Sequence, residues 1–144
     1  MMQKIIASII LIFAASLSFF VRRRKPDAPS QTTHTVPQQL SREDFLSAEK
    51  PWLLAVFTSS TCDACQDVAT KAKVLASQEV AVQIIDFQEM SDLHARYSID
   101  AVPTTVIADN RGVVQYGVLG PVTATDLWAA MARCRDPKSS TELC

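Results

Sequence analysis

Trp52-Leu-Leu-Ala-Val-Phe57, then Thr58-Ser-Ser-Thr61, then Cys62-Asp-Ala-Cys65 is the stretch that decides the reading of this chain. The first six residues are a short apolar run, preceded by the breaker Pro51 and followed by polar turn formers. That is the mark of a strand covered on both faces, as in a parallel sheet. Cys62 opens the next segment, and Asp63 to about Gln78 suits a helix, with Val68, Ala72 and Leu75 forming one apolar face. Two cysteines three residues apart at the start of a helix carry a chemistry of their own. The unpaired N–H groups and partial positive charge of a helix N-terminus stabilise a thiolate, so a cysteine there ionises below the free value of about 8.5. Cys62 is therefore the exposed nucleophile. Cys65, one turn in and within disulfide reach, is the more buried resolving thiol. Cys62 attacks a disulfide, and Cys65 then attacks Cys62 to release the product.

Working outward, Val80 to Phe87 reads as the next strand and Ser91 to Tyr97 as the next helix. Strand, helix, strand implies a right-handed crossover and parallel pairing. Thr104 to Ala108 and Val113 to Leu119 are β-rich runs separated by Asp109-Asn-Arg-Gly112, a hairpin signal. Thr123 caps a last helix, Ala124 to Ala132, and Pro137 stops it. Upstream, Ser41 and Asp44 approximate a capping box for a short helix, Arg42 to Ala48. The order α, β, α, β, α, β, β, α gives an α/β fold with a central mixed sheet flanked by helices. Val102-Pro103-Thr104 falls where a cis-proline turn can expose the Val102 backbone for pairing with a substrate segment.

At this point the stretch from Trp52 to Met131 resembles the thioredoxin superfamily. The resemblance rests on the strand Leu53 to Phe57, Cys62-Asp-Ala-Cys65, Ala101-Val-Pro-Thr104, the hairpin at Gly112, and Gly120 ahead of the final helix. It implies a protein-disulfide reductase whose redox-active centre is the Cys62–Cys65 disulfide, with no cofactor besides. It gives Pro103 the role of a cis residue packed against that disulfide, and Val102, Pro103 and Thr104 that of the substrate-binding strip. Thr61, Asp63 and Ala64 tune the pair. This chain departs from the usual Trp-Cys-Gly-Pro-Cys of the family. The stacking Trp is replaced by Thr61, and the family's buried Asp and its Lys partner fall at Val56 and near Val82. Asp63 repels a Cys62 thiolate and so favours the disulfide form, which is the behaviour of a reductant. The competing reading is a thioredoxin-fold binding module that docks partners at Val102 with little or no turnover.

The first 25 residues belong to no globular core. Ile5 to Val21 is a run of 17 residues without a charge, followed directly by Arg22-Arg-Arg-Lys25. Only Lys4 precedes it, and Phe19-Phe20 stands where a signal peptidase would need small residues. The run is at the lower limit of a membrane span. It reads as an uncleaved single-pass anchor, residues 1–25, in preference to a cleaved signal peptide or a buried helix; the membrane-tethered form resembles anchored bacterial thioredoxin-like proteins. The cations on its C-terminal flank put the remainder of the chain in the cytoplasm, the opposite orientation being the alternative. Residues 26–39, with Pro26, Pro29 and Pro37, read as a flexible linker. Residues 40–135 form the thioredoxin-like domain and 136–144 a polar tail.

The remaining expectations are exclusions and assignments to ordinary structure. A net charge of −1 gives no reason for a nucleic-acid partner. The expected partners are protein disulfides, an electron donor such as a thioredoxin reductase, and the membrane through residues 5–21; the chain is expected to be a monomer. A zinc site usually needs four ligands, and Cys134 and Cys144 are not spaced to complete one with Cys62 and Cys65; they read as spare thiols, and no metal is expected. His94 reads as a half-exposed surface histidine, and Asp86 and Asp109 as solvated carboxylates at strand ends.

Overall fold

A computed structural model describes residues 35–137. The expected membrane segment 5–21, its basic flank, most of the linker, His34 and Cys144 lie outside the described residues. Within them, no helix is long and apolar enough to cross a membrane.

The elements are a single 3-10 turn Arg42–Asp44, β1 Trp52–Thr58, α1 Asp63–Lys73, β2 Val80–Asp86, α2 Ser91–Arg96, β3 Thr104–Ala108, β4 Val114–Leu119 and α3 Ala124–Arg135. The four strands form one mixed sheet in the order β2-β1-β3-β4. β1 runs parallel to β2, and β3 is antiparallel to both β1 and β4. This is the α/β arrangement, a central mixed sheet flanked by helices, expected from the element order.

β1 explains itself. Leu54 and Val56 point to a layer made by Val68 and Ala72 of α1 and Leu127, Ala130 and Met131 of α3. Leu53, Ala55 and Phe57 point the other way, into a layer with Phe45, Ile85 and Val106, which Leu93 of α2 flanks. Both faces are covered, so alternation between polar and apolar is absent from β1, whose residues from Leu53 to Phe57 are wholly buried.

Several boundaries differ from the sequence reading. α1 stops at Lys73, five residues before Gln78, because the chain must turn to start β2 beside β1. Leu75 and Ala76 N–H groups close tight turns on Ala72 and Lys73 carbonyls, and Ser77 pairs with Val80 in both directions. α3 runs on to Arg135 rather than stopping at Ala132. Arg133 and Arg135 sit in its last turn, where cations suit the helix C-terminus, and Arg135 pairs with Glu79. The expected helix 42–48 is only the 3-10 turn. Ser41 makes no side-chain cap, and Asp44 does not reach back to the Ser41 N–H. Tyr97 intervenes: its hydroxyl accepts from Ser41 N–H and donates to the Asp44 carboxylate, which Arg96 also binds.

Residues at the end of the expected linker are bound to the domain. Gln39 bridges Val113, and Gln38 O accepts from Val114 N–H. Gly112, at φ +80°, accepts the Leu40 N–H, and a Cβ there would fall 1.9 Å from Leu40 O. Val36 lies so close over Gly117 that a Cβ would meet its Cγ1 at 2.2 Å. The Gly112 carbonyl and the Val114 N–H at the start of β4, and the bare backbone of Gly117, are what this segment covers.

His94, expected on the surface, is 2% exposed. Its Nε2 lies 3.0 Å from Ile85 O, and its ring stands edge-on to Phe57 and Phe87. Asp109 is no solvated carboxylate either. Burial alone would raise its pKa, but the Val113 and Arg111 N–H donors and the Arg111 guanidinium outweigh it and hold the carboxyl below its usual range. It closes the β3–β4 turn through those N–H groups.

The Asp44 latch makes a pH-dependent contribution. The Tyr97 hydroxyl, foremost, and Arg96 hold the Asp44 carboxyl below its ordinary range against a smaller opposing effect of burial. A carboxylate depressed in the folded state stabilises fully above its unfolded pKa, and that stabilisation disappears as pH falls through the folded value. Asp44→Asn is expected to lower stability by about 1–2 kcal/mol near neutrality. The loss relative to wild type should shrink as pH drops below about 4 in acid-unfolding curves followed by circular dichroism.

Candidate active site

The cysteine pair sits where β1 ends. Thr58 is the last strand residue, Ser59 to Thr61 make the loop, and Cys62 is the N-cap of α1 with extended backbone. The Cys62 N–H bonds Ser59 O at 3.0 Å and the Cys65 N–H bonds Cys62 O at 3.1 Å, so the loop runs straight into the helix. Cys62 and Cys65 are joined in a disulfide with Cα atoms 5.3 Å apart. Their environments differ as the sequence reading requires. Cys62 is half-buried, whereas Cys65 is 1% exposed. Asp63 and Thr61 are exposed and Ala64 is half-buried.

The strip Val102, Pro103 and Thr104 arrives from the other side. The Val102–Pro103 peptide is cis. Thr104 pairs with Phe57 in the antiparallel register, so Pro103 leaves the sheet at the level of Thr58, beside the cysteine loop. Pro103 O accepts from the Gly120 N–H at 2.7 Å, with Gly120 at φ +88°. Val102 is half-buried. Thr104 is buried, and its hydroxyl donates to Ala101 O at 2.7 Å. Its side chain thus holds the proline loop and is turned away from solvent. Val102 also borders a pocket of about 370 Å³ with Ser59, Phe87, Ile99 and Ala101.

One residue of the site has no signature in the sequence. β2 is parallel to β1 with Asp86 opposite Thr58, so Phe87 and Gln88 emerge at the same end as the cysteine loop. Asp86, partly exposed at the end of β2, accepts from the Gln88 N–H through Oδ1 at 2.9 Å and fixes the turn that follows. The Gln88 amide then clamps the loop. Its Oε1 accepts from Ser60 N–H at 3.0 Å, and its Nε2 donates to Ser59 Oγ at 3.0 Å. Ser59 Oγ in turn lies 3.0 Å from Thr61 Oγ1. The pattern Asp-x-Gln after a strand is the only local hint, and it points to a turn, not to the partner loop 28 residues upstream.

Cys134 is a half-buried free thiol in the last turns of α3, and burial pushes its pKa up. It lies on the terminal helix, not in the first turn of α1 where the pair sits. Among the described residues, no three His, Cys, Asp or Glu side chains converge as metal ligands would.

Comparison with known proteins bears on this geometry. A family model described as Thioredoxin matches residues 33–133. No curated protein matches the chain significantly. Among solved structures, a point mutant of a thioredoxin from Halobacterium salinarum NRC-1 is similar at 28% identity and TM-score 0.52, over 65% of this chain and 88% of that one. The germline-specific thioredoxin Deadhead (Thioredoxin-1) of Drosophila melanogaster is 24% identical with TM-score 0.52, over 60% of this chain and 83% of that one. A malarial protein shares 17% identity with TM-score 0.53, over 58% of this chain and 97% of that one. The last two matches speak to the fold alone.

The clamp makes a specific demand. Gln88→Ala frees the Ser59–Thr61 loop while leaving both cysteines in place. Alkylation of Cys62 in the reduced chain is expected to change rate by about three- to tenfold, with a loss of stability of about 1 kcal/mol. An alkylation time course read by mass spectrometry checks this; an unchanged rate would mean that the loop holds its shape without Gln88.

Proposed function

We propose that this chain, which belongs to the thioredoxin family, is a membrane-tethered reductant of protein disulfides working through Cys62 and Cys65. The observation that carries the reading is the asymmetric disulfide at the N-terminus of α1. One sulfur is half-exposed, the other is buried, and a cis-proline loop stands at the same end of the sheet.

The chemistry follows from that asymmetry. In the dithiol form, Cys62 at the helix N-cap is the thiol a partner can reach, and the helix terminus favours its thiolate. The Cys62 thiolate attacks one sulfur of a substrate disulfide; the other sulfur leaves as a thiolate and takes a proton from water. Cys65, ionised by loss of its proton to solvent, then attacks Cys62 Sγ. The Cys62–substrate bond breaks, the Cys62–Cys65 disulfide forms, and the second substrate sulfur leaves as a thiolate. The substrate gains two electrons, and the chain must regain them from a dithiol donor such as a thioredoxin reductase. Asp63, exposed beside Cys62, disfavours the thiolate by Coulomb repulsion and so inclines the pair toward its disulfide, which is the direction of a reductant. Extended substrate would lie along Val102 and Pro103.

The tether and compartment rest on the sequence: the uncharged run Ile5 to Val21 as a single span, and Arg22 to Lys25 holding the cytoplasmic side. One observation favours the competing reading of a docking module with little turnover. Val56, where the family carries a buried acid, is fully buried among aliphatic side chains. No carboxylate stands at that position to take the Cys65 proton.

Two experiments decide between these. With the full-length chain in detergent and a dithiol reductant supplied, wild type is expected to reduce insulin disulfides, Cys62→Ser to lose activity by at least about a thousandfold, and Cys65→Ser to accumulate mixed disulfides with substrate. A wild-type chain that binds partners but reduces nothing would make it a docking module. For compartment, a C-terminal alkaline phosphatase fusion is expected to be inactive and a fluorescent-protein fusion bright; the reverse pair of results would put the domain outside.

A further inference from the structure

Thr105 is wholly buried, and its hydroxyl has no hydrogen-bond partner among the described residues. A buried hydroxyl left unpaired is disfavoured, so its position calls for a reason. Thr105 lies opposite Val56 in the β1–β3 register. Alternation along β3 puts it on the same face as Ile107, two residues on, and Ile107 packs in one layer with Val56 and with Val68 of α1. Stepping from Ile107 to Thr105 along β3 moves toward the cysteine end of the sheet. Stepping from Val68 to Cys65 along α1 moves one turn the same way, on the same buried face of the helix. Thr105 and Cys65 are therefore the next residues of the two elements as that layer approaches the disulfide.

The other polar groups at this end are already engaged. The Thr58 hydroxyl donates to Ile85 O at 3.4 Å. Asp86 accepts from the Gln88 N–H, and Asp63 is exposed. Among the described residues at this end of the sheet, Thr105 alone combines burial with an uncommitted donor.

We propose that the Thr105 hydroxyl donates a hydrogen bond to the Cys65 sulfur when that sulfur is a thiolate, and so supports its attack on Cys62. A sulfur tied in a disulfide is a weak acceptor, whereas a thiolate is a strong, charged one. The oxidised state thus leaves the hydroxyl unpaired and the reduced and mixed-disulfide states give it a partner. The step itself is the resolution described above: the Cys65 electron pair forms the bond to Cys62 Sγ, the Cys62–substrate bond breaks, and the departing sulfur is protonated by water. Thr105 gives up no proton; it stabilises the anion that attacks. This inference rests on the oxidoreductase reading and adds to it a group that serves the buried thiol where Val56 supplies none.

The test uses the full-length chain, reduced and then mixed with oxidised glutathione. Samples are acid-quenched over time, and the glutathione adduct on Cys62 is followed by mass. Thr105→Val, which keeps the shape and removes the donor, should lengthen the adduct's lifetime by about tenfold or more, and Thr105→Ala likewise. Thr105→Ser, which keeps the donor, should restore a lifetime within about twofold of wild type. The rate at which the adduct forms should be the same in all four chains. Since Thr105→Val removes an unpaired hydroxyl, the oxidised protein should melt no lower than wild type. Wild-type lifetimes in the Val and Ala variants would overturn the proposal, as would a serine variant as slow as valine, which would point to packing. A wild-type chain that forms no adduct, or never resolves it, would overturn the oxidoreductase reading and this inference with it.

Discussion

β1 is the strand on which the rest depends. It is bonded on both edges, to β2 and β3, and covered on both faces, by α1 and α3 on one side and by α2 and the N-terminal segment on the other. β3 shares that setting, but β1 is the strand that runs on into the cysteine loop. Burial of this kind leaves no freedom of register, because a slip of one residue would exchange Leu54 and Val56 for Leu53, Ala55 and Phe57 in layers built to different shapes. The end of β1 is therefore a fixed point, and Cys62 is four residues beyond it.

What surrounds the disulfide is fixed by the same register. Parallel pairing brings the end of β2 level with Thr58, so Asp86 and Gln88 can hold the Ser59–Thr61 loop. Antiparallel pairing brings the start of β3 to the same level, which puts the cis Val102–Pro103 peptide beside the cysteines, and β4 returns Gly120 to bond Pro103 O. The chemistry then needs little more from the chain: a helix N-terminus at Cys62 and a dry environment at Cys65. The apolar packing around Val56 gives the second thiol no acid at that position.

Much of this was legible in the sequence because it is written in local pattern. The uninterrupted apolar run of β1, the Cys-x-x-Cys at a helix start, and the Asp-Asn-Arg-Gly hairpin each carry their own physical cause, and all three stand where they were expected. The thioredoxin-like fold and the unequal burial of Cys62 and Cys65 followed from them. What was not legible depends on partners distant in the chain. His94 looks like a surface residue on a short helix, and only the sheet beneath it supplies Ile85 O and the Phe57 and Phe87 edges. Asp44 looks like half of a capping box, yet Tyr97 and Arg96, more than fifty residues later, take its carboxylate. Gln88 and Thr105 carry no motif. One matters through a loop in another part of the chain, the other through the face of a strand it occupies. Helix ends also escaped local reading, since α1 stops early to bring β2 beside β1.

The central claim is that Cys62 and Cys65 form one two-electron couple in the native chain. It is tested most directly by equilibrating the full-length protein with buffers of reduced and oxidised dithiothreitol and alkylating the free thiols at each potential. The account predicts that Cys62 and Cys65 acquire label together in a single two-electron transition, while the folded state persists on both sides of it. Labelling of the two cysteines at separate potentials, or a pair that stays labelled throughout, would contradict it.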